Sequence, residues 1–528
     1  MIKYVRGRIF KICFILNLRK TLLQNGKGEL KMSDVKIGVK KLNKFSEDEN
    51  MYNDCPTWRL GLFALNNTAT NLYMFAMGYI SMYATGIGGL LVTVVGFILT
   101  AMRIFDGITD PIVGFLIDKT DGKFGKFRPF IVIGNIILGV MTFVIYTTVH
   151  KVPENIRLIY FIACYAVYIV GYTCQTACTK AGQACMTNNP AKRPKFGLFD
   201  AIYNAILFNG MQIFISSYLV PKHGGFGSLS LYHELITYTI IGSAILTALA
   251  VYGIWPKDRT EFFGLGNQAP KVSFKDYWPV LKGNRALQML IVAASTDKIA
   301  LSVAQNASVT IMLFGIIMGD YSLAGTIGTI ILIPNIIITM MGTKYAQKLG
   351  QKKALVVGTW ASIISYIALV ALLVFGDPTQ ISLKNISFMT IAFIAIYIIA
   401  KGSVGVSGAF VIPMISDCAD YETYLSGRFV PGMMGTLFSF IDKLISSFAT
   451  TIVAFSVAAI GFVDRMPDVT DVANPQIFWM TMFLFAGMPM IGWICSLIAM
   501  KFYPLDKAKM EEVQTHIQEL KNSESELA

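Results

Sequence analysis

The chain is a succession of apolar runs joined by short polar loops, and the length of those runs limits what it can become. About 20 mostly apolar residues cross a bilayer as a helix. Inside lipid every backbone N–H and C=O needs an internal partner, so such runs have to be helical. Twelve candidates stand at roughly 59–84, 89–117, 129–149, 157–187, 196–220, 233–255, 285–318, 322–345, 353–376, 388–416, 432–462 and 476–503. Only 15% of the residues are charged and 54% are hydrophobic, against roughly 25% charged in a soluble domain. This composition excludes a soluble globular protein, a disordered chain and a disulfide-stapled module. The eight cysteines fall mostly in apolar segments without metal spacing, and are expected to be buried, inert thiols. The expected fold class is an all-α polytopic membrane protein with twelve transmembrane helices.

The basic residues give the orientation. The loops after spans 2, 4, 6 and 8 carry 16 Lys and Arg, among them Lys123, Lys195, Lys257 and Lys348. The loops after spans 3, 5, 7, 9 and 11 carry 4, namely Lys151, Lys222, Lys384 and Arg465. The positive-inside rule then places both termini in the cytoplasm of a cell membrane, expected to be a bacterial inner membrane. The formal charge of +13 is therefore read as topology and not as a nucleic-acid footprint.

Two basic, glycine-containing turns echo each other six spans apart, Asp118–Lys126 and Gly342–Lys353. The longest internal polar loop lies between spans 6 and 7. The expected organisation is a cytoplasmic segment 1–56, a six-helix half 57–255, a cytoplasmic linker 256–284, a second half 285–503 and a cytoplasmic tail 504–528. A substrate site is expected where the halves meet near mid-membrane. Residues 1–31 hold an apolar stretch too short to span. Lys27-Gly28-Glu29 back-translates to a purine-rich stretch like a ribosome-binding site, so Met32 is a candidate start; the alternative is a basic segment lying on the membrane surface.

Charges inside spans cost roughly 2.5–3.5 kcal/mol each on insertion scales, so each is a candidate for function. Span 2 is richest, with Arg103, Asp106 and Asp110. Spacings of three and four put all three on one helix face. Two carboxylates aimed at one point repel unless a cation sits between them or one is protonated. Na⁺ or H⁺ would satisfy the pair; a salt-bridge stack with Arg103 that only locks helices is the structural alternative. Lys180 in span 4 has no acid within four residues, and Asp200 is one candidate partner. Asp297, Lys298, Lys401, Asp442 and Lys443 complete the set; Lys401 is read here as structural. Asp417, Asp420 and Arg428, after span 10, are candidate gating residues facing basic groups of the other half, or else a solvated loop.

The ordered pattern from Arg103 to Pro129, RIFDGITDPIVGFLIDKTDGKFGKFRP, resembles the glycoside–pentoside–hexuronide:cation symporters, the melibiose-permease group of the major facilitator superfamily. ISDCADYETY (415–424) and FSFIDKLISS (438–447) resemble the family's segments after span 10 and in span 11. The resemblance implies the major facilitator fold and cation-coupled sugar transport by alternating access, with Na⁺ or H⁺ as coupling cation and no other cofactor. It implies that Asp106, Asp110 and Ser439 hold the cation. It aligns Arg103 with the family's span 2 arginine and Lys443 with its span 11 lysine. Asn71 falls beside the span 1 position where melibiose-type members use a sugar-binding aspartate.

The departures point to a different sugar. Span 4 offers Thr176 or Ala177, with Lys180 nearby, where such members carry an acid, and Asp200 is the only charge where an arginine is common. The candidate substrate residues Asn71, Arg103, Lys180 and Lys443 make a positive cavity, which favours an anionic sugar such as a uronide. A lipid or lysolipid transporter of the same superfamily is the alternative. Clustered nucleophiles, which an enzyme would need, are not seen in the sequence, and the GIGG at 86–89 lacks the Lys-Ser/Thr of a nucleotide loop.

Overall fold

The computed structural model describes residues 55–527 apart from 121, 188–191, 193, 260–278, 280 and 427–430. The expected leading segment up to residue 54 and most of the expected linker lie outside the described residues. All regular elements among those described are helices.

The first half starts with α1 (Thr57–Met77) and α2 (Ile80–Gly86), one span broken at Gly78. It continues with α3 (Val92–Lys119), α4 (Arg128–Thr148), α5 (Glu154–Met186), α6 (Pro194–Ile213), α7 (Val220–His223) and α8 (Leu229–Ile254). A π-helical stretch, Phe214–Leu219, joins α6 to α7. The second half runs through α9 (Arg285–Ala304), α10 (Ala307–Thr310), α11 (Ser322–Ala346), α12 (Gln351–Phe375), α13 (Phe388–Gly408) and α14 (Val411–Ser426). It ends with α15 (Pro431–Ser446), α16 (Ala449–Ala459), α17 (Pro475–Met482) and α18 (Met488–Phe502), followed by a tail helix, α19 (Lys507–Leu527).

Among the described residues, eleven helical segments are long and apolar enough to cross a membrane. The remaining expected span, α1 with α2, is made more polar by Asn66, Asn67, Thr68, Thr70 and Asn71. The three amides and Thr70 bond to neighbouring helices: Asn66 Nδ2 donates to the Gln175 carbonyl (3.1 Å) and Thr70 Oγ1 to Gln175 Oε1 (2.7 Å), while Asn67 and Asn71 donate to Asp200 and Asn204. Lipid-facing stripes show as exposed residues at helical spacing, such as Ile133, Ile136, Val140 and Phe143 on α4. Small residues let the helices approach. A Cβ added at Gly171 of α5 would lie 3.0 Å from the Gly134 carbonyl of α4, and one at Gly492 of α18 would lie 2.6 Å from the Thr296 carbonyl of α9. Cys55, Cys164, Cys174, Cys178, Cys185 and Cys418 are buried and Cys495 is half-buried, with no disulfide among the described residues.

Two expectations need correction. The seventh span is not continuous: it breaks at Gln305–Asn306, where the Asn306 side chain caps α10 by accepting from Ser308 N (3.0 Å). The segment 417–422 is not a loop but part of α14. Its Glu422 is buried and accepts from Asn284 Nδ2 (3.0 Å), while Asp420 accepts from Gln514 Nε2 of α19 (2.7 Å).

The hydrogen bonds described between the halves gather at the end away from the basic loops. Val92 N donates to the Val463 carbonyl (3.0 Å), and Met466 N to Thr85 Oγ1 (3.2 Å). Asp468 accepts from the amides of Phe226 (3.0 Å) and Gly227 (3.1 Å). Tyr79 and Tyr321 share a hydrogen bond (3.4 Å) under the ring of Phe226. Deeper in, Thr100 Oγ1 donates to the Ser447 carbonyl (2.8 Å). Gly96 of α3 meets α16 so closely that a Cβ would lie 2.4 Å from Ala454 Cβ.

Gly96→Leu should therefore pry this end open. Overpacking typically costs about 1–3 kcal/mol, so the thermal midpoint should fall. A cysteine placed at Thr310 should react several-fold faster with an impermeant thiol reagent added from that face. Unchanged labelling would contradict the reading of this end as a closed gate.

Candidate functional site

The charged residues of α3 lie at the middle of the helix. Asp106 is 14 residues from Val92, about 21 Å at 1.5 Å per residue. Neither helix end can offer it water at that depth. Asp106 is 1% exposed, whereas Asp110, one turn on, is half-buried. A buried carboxylate needs compensation, and α15 supplies it. Lys443 Nζ donates to Asp110 Oδ2 (2.6 Å) and stands 3.6 Å from Asp106 Oδ2. Arg103 Nη1 lies 3.9 Å from the same Asp106 oxygen. Asp106 Oδ1 accepts from Thr173 Oγ1 of α5 (3.2 Å), and Thr173 shares a further hydrogen bond with Thr109 (2.9 Å). Asp106 Oδ2 has charges around it but no hydrogen-bond donor among the described groups.

Adjacent residues of a helix point about 100° apart, and α15 uses this. Lys443 reaches across to α3 of the first half. Asp442 points to α9 of its own half and pairs with Lys298. The pair ties α9 to α15 within the second half. Its neighbour Asp297 accepts from Ser496 Oγ of α18 (3.1 Å).

Two cavities meet at Arg103 and Tyr172. The larger, about 740 Å³, lies between the halves. Broken helices form part of its wall: Gly78 and Tyr79 at the α1/α2 break, Gln305 and Asn306 at the α9/α10 break, and Ser446 and Ser447 at the α15/α16 break. Spans 1 and 7 are six apart in the chain, so the breaks occupy corresponding places in the two halves. Interruptions at corresponding places are a mark of a transporter's binding site, because irregular backbone is tolerated at depth only against a cavity. The smaller cavity, about 350 Å³, is walled by Arg103, Asp106, Lys443, Lys180, Asp200 and Asn67 among others.

The structure brings Asp106, Asp110, Arg103 and Lys443 together. Lys180 lines the smaller cavity, but Asp200, its candidate partner, accepts from Asn67 Nδ2 instead (2.7 Å). Asn71 lines neither cavity; it donates to Asn204 Oδ1 (2.8 Å), and Asn67, one turn earlier, lines the cavity instead. The side chain of Ser439, and Arg428 as a whole, lie outside the described residues. Asp417 faces Gln351 of its own half, and Asp420 bonds within that half, so neither spans to the other half here. Tyr73, an aromatic of α1 of the kind that could stack on a sugar, is fully buried and lines neither cavity. The residue that sequence reasoning missed is Thr173. Its signal was available: Thr173, Thr176 and Thr179 are three apart, a polar stripe in an apolar span.

Comparison with known proteins fits this geometry. The family model described as MFS/sugar transport protein matches residues 62–507. A glucuronide carrier protein homolog of Escherichia coli K12 is 22% identical over 482 residues, covering 89% of this chain and 98% of its own. The inner membrane symporter YicJ of the same organism is 24% identical, covering 84% of this chain and 90% of its own. Among solved structures, the nucleoside transporter NupG superposes with a TM-score of 0.56 at 13% identity, over 85% of this chain and 99% of that one. This last likeness concerns the fold alone.

Removing Lys443 leaves two carboxylates facing each other. Lys443→Gln should cost about 3 kcal/mol, the low end of the scale for breaking a buried ion pair, because Lys443 is 27% exposed. Added Na⁺ or protons should then raise the thermal midpoint of the variant more than that of the unaltered protein. An equal response in both would show that Lys443 does not compete with a cation.

Proposed function

The chain belongs to the MFS/sugar transport protein family, and on that basis we propose that it is a symporter coupling entry of a sugar or glycoside to a monovalent cation, Na⁺ or H⁺. The observation that carries this reading is the neutral quartet of Asp106, Asp110, Arg103 and Lys443. Without a travelling cation, Lys443 occupies the place between the carboxylates. A cation entering there competes with the ammonium and leaves the quartet one charge in excess. At an effective dielectric near 20, a unit pair 4 Å apart is worth about 4 kcal/mol. That scale is enough to turn Arg103 from Asp106 toward the larger cavity, whose wall it shares. Cation and substrate then raise each other's affinity, as linkage requires.

With the basic loops in the cytoplasm, the end closed by Asp468, Tyr79 and Tyr321 is the outer one. The structure then corresponds to an inward-facing carrier after release, with Lys443 standing in for the departed cation. Lys180, exposed in the smaller cavity on the cytoplasmic side of Arg103, would draw an anion along the release path. The sugar we favour is acidic, because an anion neutralises the excess charge of the loaded quartet. The name of the Escherichia coli relative supports the same class. The membrane is the cell membrane, with both described ends of the bundle facing inward. The expected inner gate of Asp417, Asp420 and Arg428 belongs to the opposite, outward-facing conformation.

Vesicles with an imposed Na⁺ or H⁺ gradient, supplied with a panel of neutral and acidic glycosides, test the function. One gradient should drive accumulation. Asp106→Asn and Asp110→Asn should each reduce it roughly 100-fold or more, since either neutralises half of the cation's ligand charge. Exchange of sugar at equal concentrations should persist in part. Accumulation that survives both substitutions would rule the proposal out.

A further inference from the structure

The larger cavity is lined by two charged side chains, Arg103 from the first half and Lys401 from the second, and by no carboxylate among the described residues. Arg103 is accounted for by Asp106. Lys401 is not accounted for by any ion pair described. It sits on α13, 13 residues from Phe388, or about 20 Å of helix at 1.5 Å per residue. At mid-membrane depth a lysine cannot snorkel to either interface. Its ammonium rests 5.2 Å from the ring centroid of Tyr397, one turn earlier on the same helix, which places the charge against an aromatic face without neutralising it.

The surroundings fit a sugar. Asn335 of α11, on the same side of the cavity, has a buried side-chain oxygen with no donor. Buried polar atoms are expected to be paired, and a ligand hydroxyl would pair this one. The neighbouring Gly402 and Gly405 press α13 onto α11: a Cβ at either would lie within 2.4 Å of Ile338 or Thr339. The helix face that carries Lys401 is thus held by close packing and is not free to turn away. Sequence reasoning treated Lys401 as structural, but a structural lysine needs a counter-charge and none is described.

We infer that Lys401 is the residue that reads a carboxylate on the transported sugar. Arg103, released from Asp106 when the cation binds, approaches the same carboxylate from the other half. The anion then bridges the two halves, so binding of an acidic sugar draws them together, while a neutral sugar lacks that tie. This assignment rests on the symporter reading and adds to it the residue that separates acidic from neutral substrates.

The test uses phenyl β-D-glucuronide and phenyl β-D-glucoside, which differ only at the sixth carbon, in proteoliposomes with the driving gradient. The unaltered protein should take the glucuronide with a KM at least 10-fold lower. Lys401→Gln should raise the KM for the glucuronide roughly 10- to 100-fold, the scale of a charge-assisted hydrogen bond, and that for the glucoside less than 3-fold. Lys401→Arg should keep the glucuronide within a few-fold of the original, which guards against simple misfolding. Equal loss for both sugars in Lys401→Gln, or no loss for the acid, overturns the assignment. A protein that accumulates only the glucoside refutes the acidic reading and leaves symport standing. Absence of gradient-driven uptake of either sugar, with counterflow also absent, refutes symport itself.

Discussion

Four charged side chains in the middle of a membrane protein must sum to zero, and much of this structure is arranged around that requirement. Asp106 is too deep to be solvated and too close to Asp110 to be ignored. Its compensation comes from another half of the molecule, through Lys443 on α15. The balance therefore depends on how the halves sit. A pair within one helix, such as Arg103 with Asp106, survives any movement of the halves. The pair across α3 and α15 does not have to. A travelling cation that can replace Lys443 is thus coupled to the conformation by electrostatics alone, without a separate relay.

The breaks in the helices serve the same end from the substrate's side. A continuous helix offers a cavity only side chains. Helix breaks at Gly78, at Gln305–Asn306 and at Ser447 line the central space. These would be intolerable against lipid and are acceptable only because they line a cavity. The π-helical stretches at Phe214–Leu219, Ile311–Ile317 and Phe483–Gly487 have a related origin. Such bulges cost helix regularity and recur near functional sites; here Phe314 and Phe485 from two of them reach the cavity wall.

Much of this was legible in the sequence because charge in an apolar run declares itself. Asp106, Asp110, Arg103 and Lys443 could be picked out from cost and spacing, and the structure brings them together. Hydroxyls are quieter. Thr173 also bonds to the Ile169 carbonyl one turn back, as threonines in helices commonly do, so nothing in its position separated it from Thr176. Register was another limit. Asn67 and Asn71 lie on one face of α1, and only the packing against α6 shows that Asn67, not Asn71, lines a cavity. The breaks at Gly78 and Gln305–Asn306 were hidden because glycine and amides inside apolar runs are compatible with an unbroken span. Lys401 was hard to read for a related reason: whether a lone lysine has a partner is a question about other helices.

The central claim is that the two carboxylates of α3 hold an ion that travels with the sugar. Measuring both fluxes in the same vesicles tests it most directly, with radioactive sugar on one side and ²²Na⁺ or a proton-sensitive dye as the second readout. The account predicts that sugar running down its own gradient carries the cation with it in fixed proportion. It also predicts that the ion flux disappears in the doubly neutral Asp106→Asn/Asp110→Asn protein while some sugar still crosses. Sugar movement without any accompanying cation, or cation movement that persists in the doubly neutral protein, would contradict it.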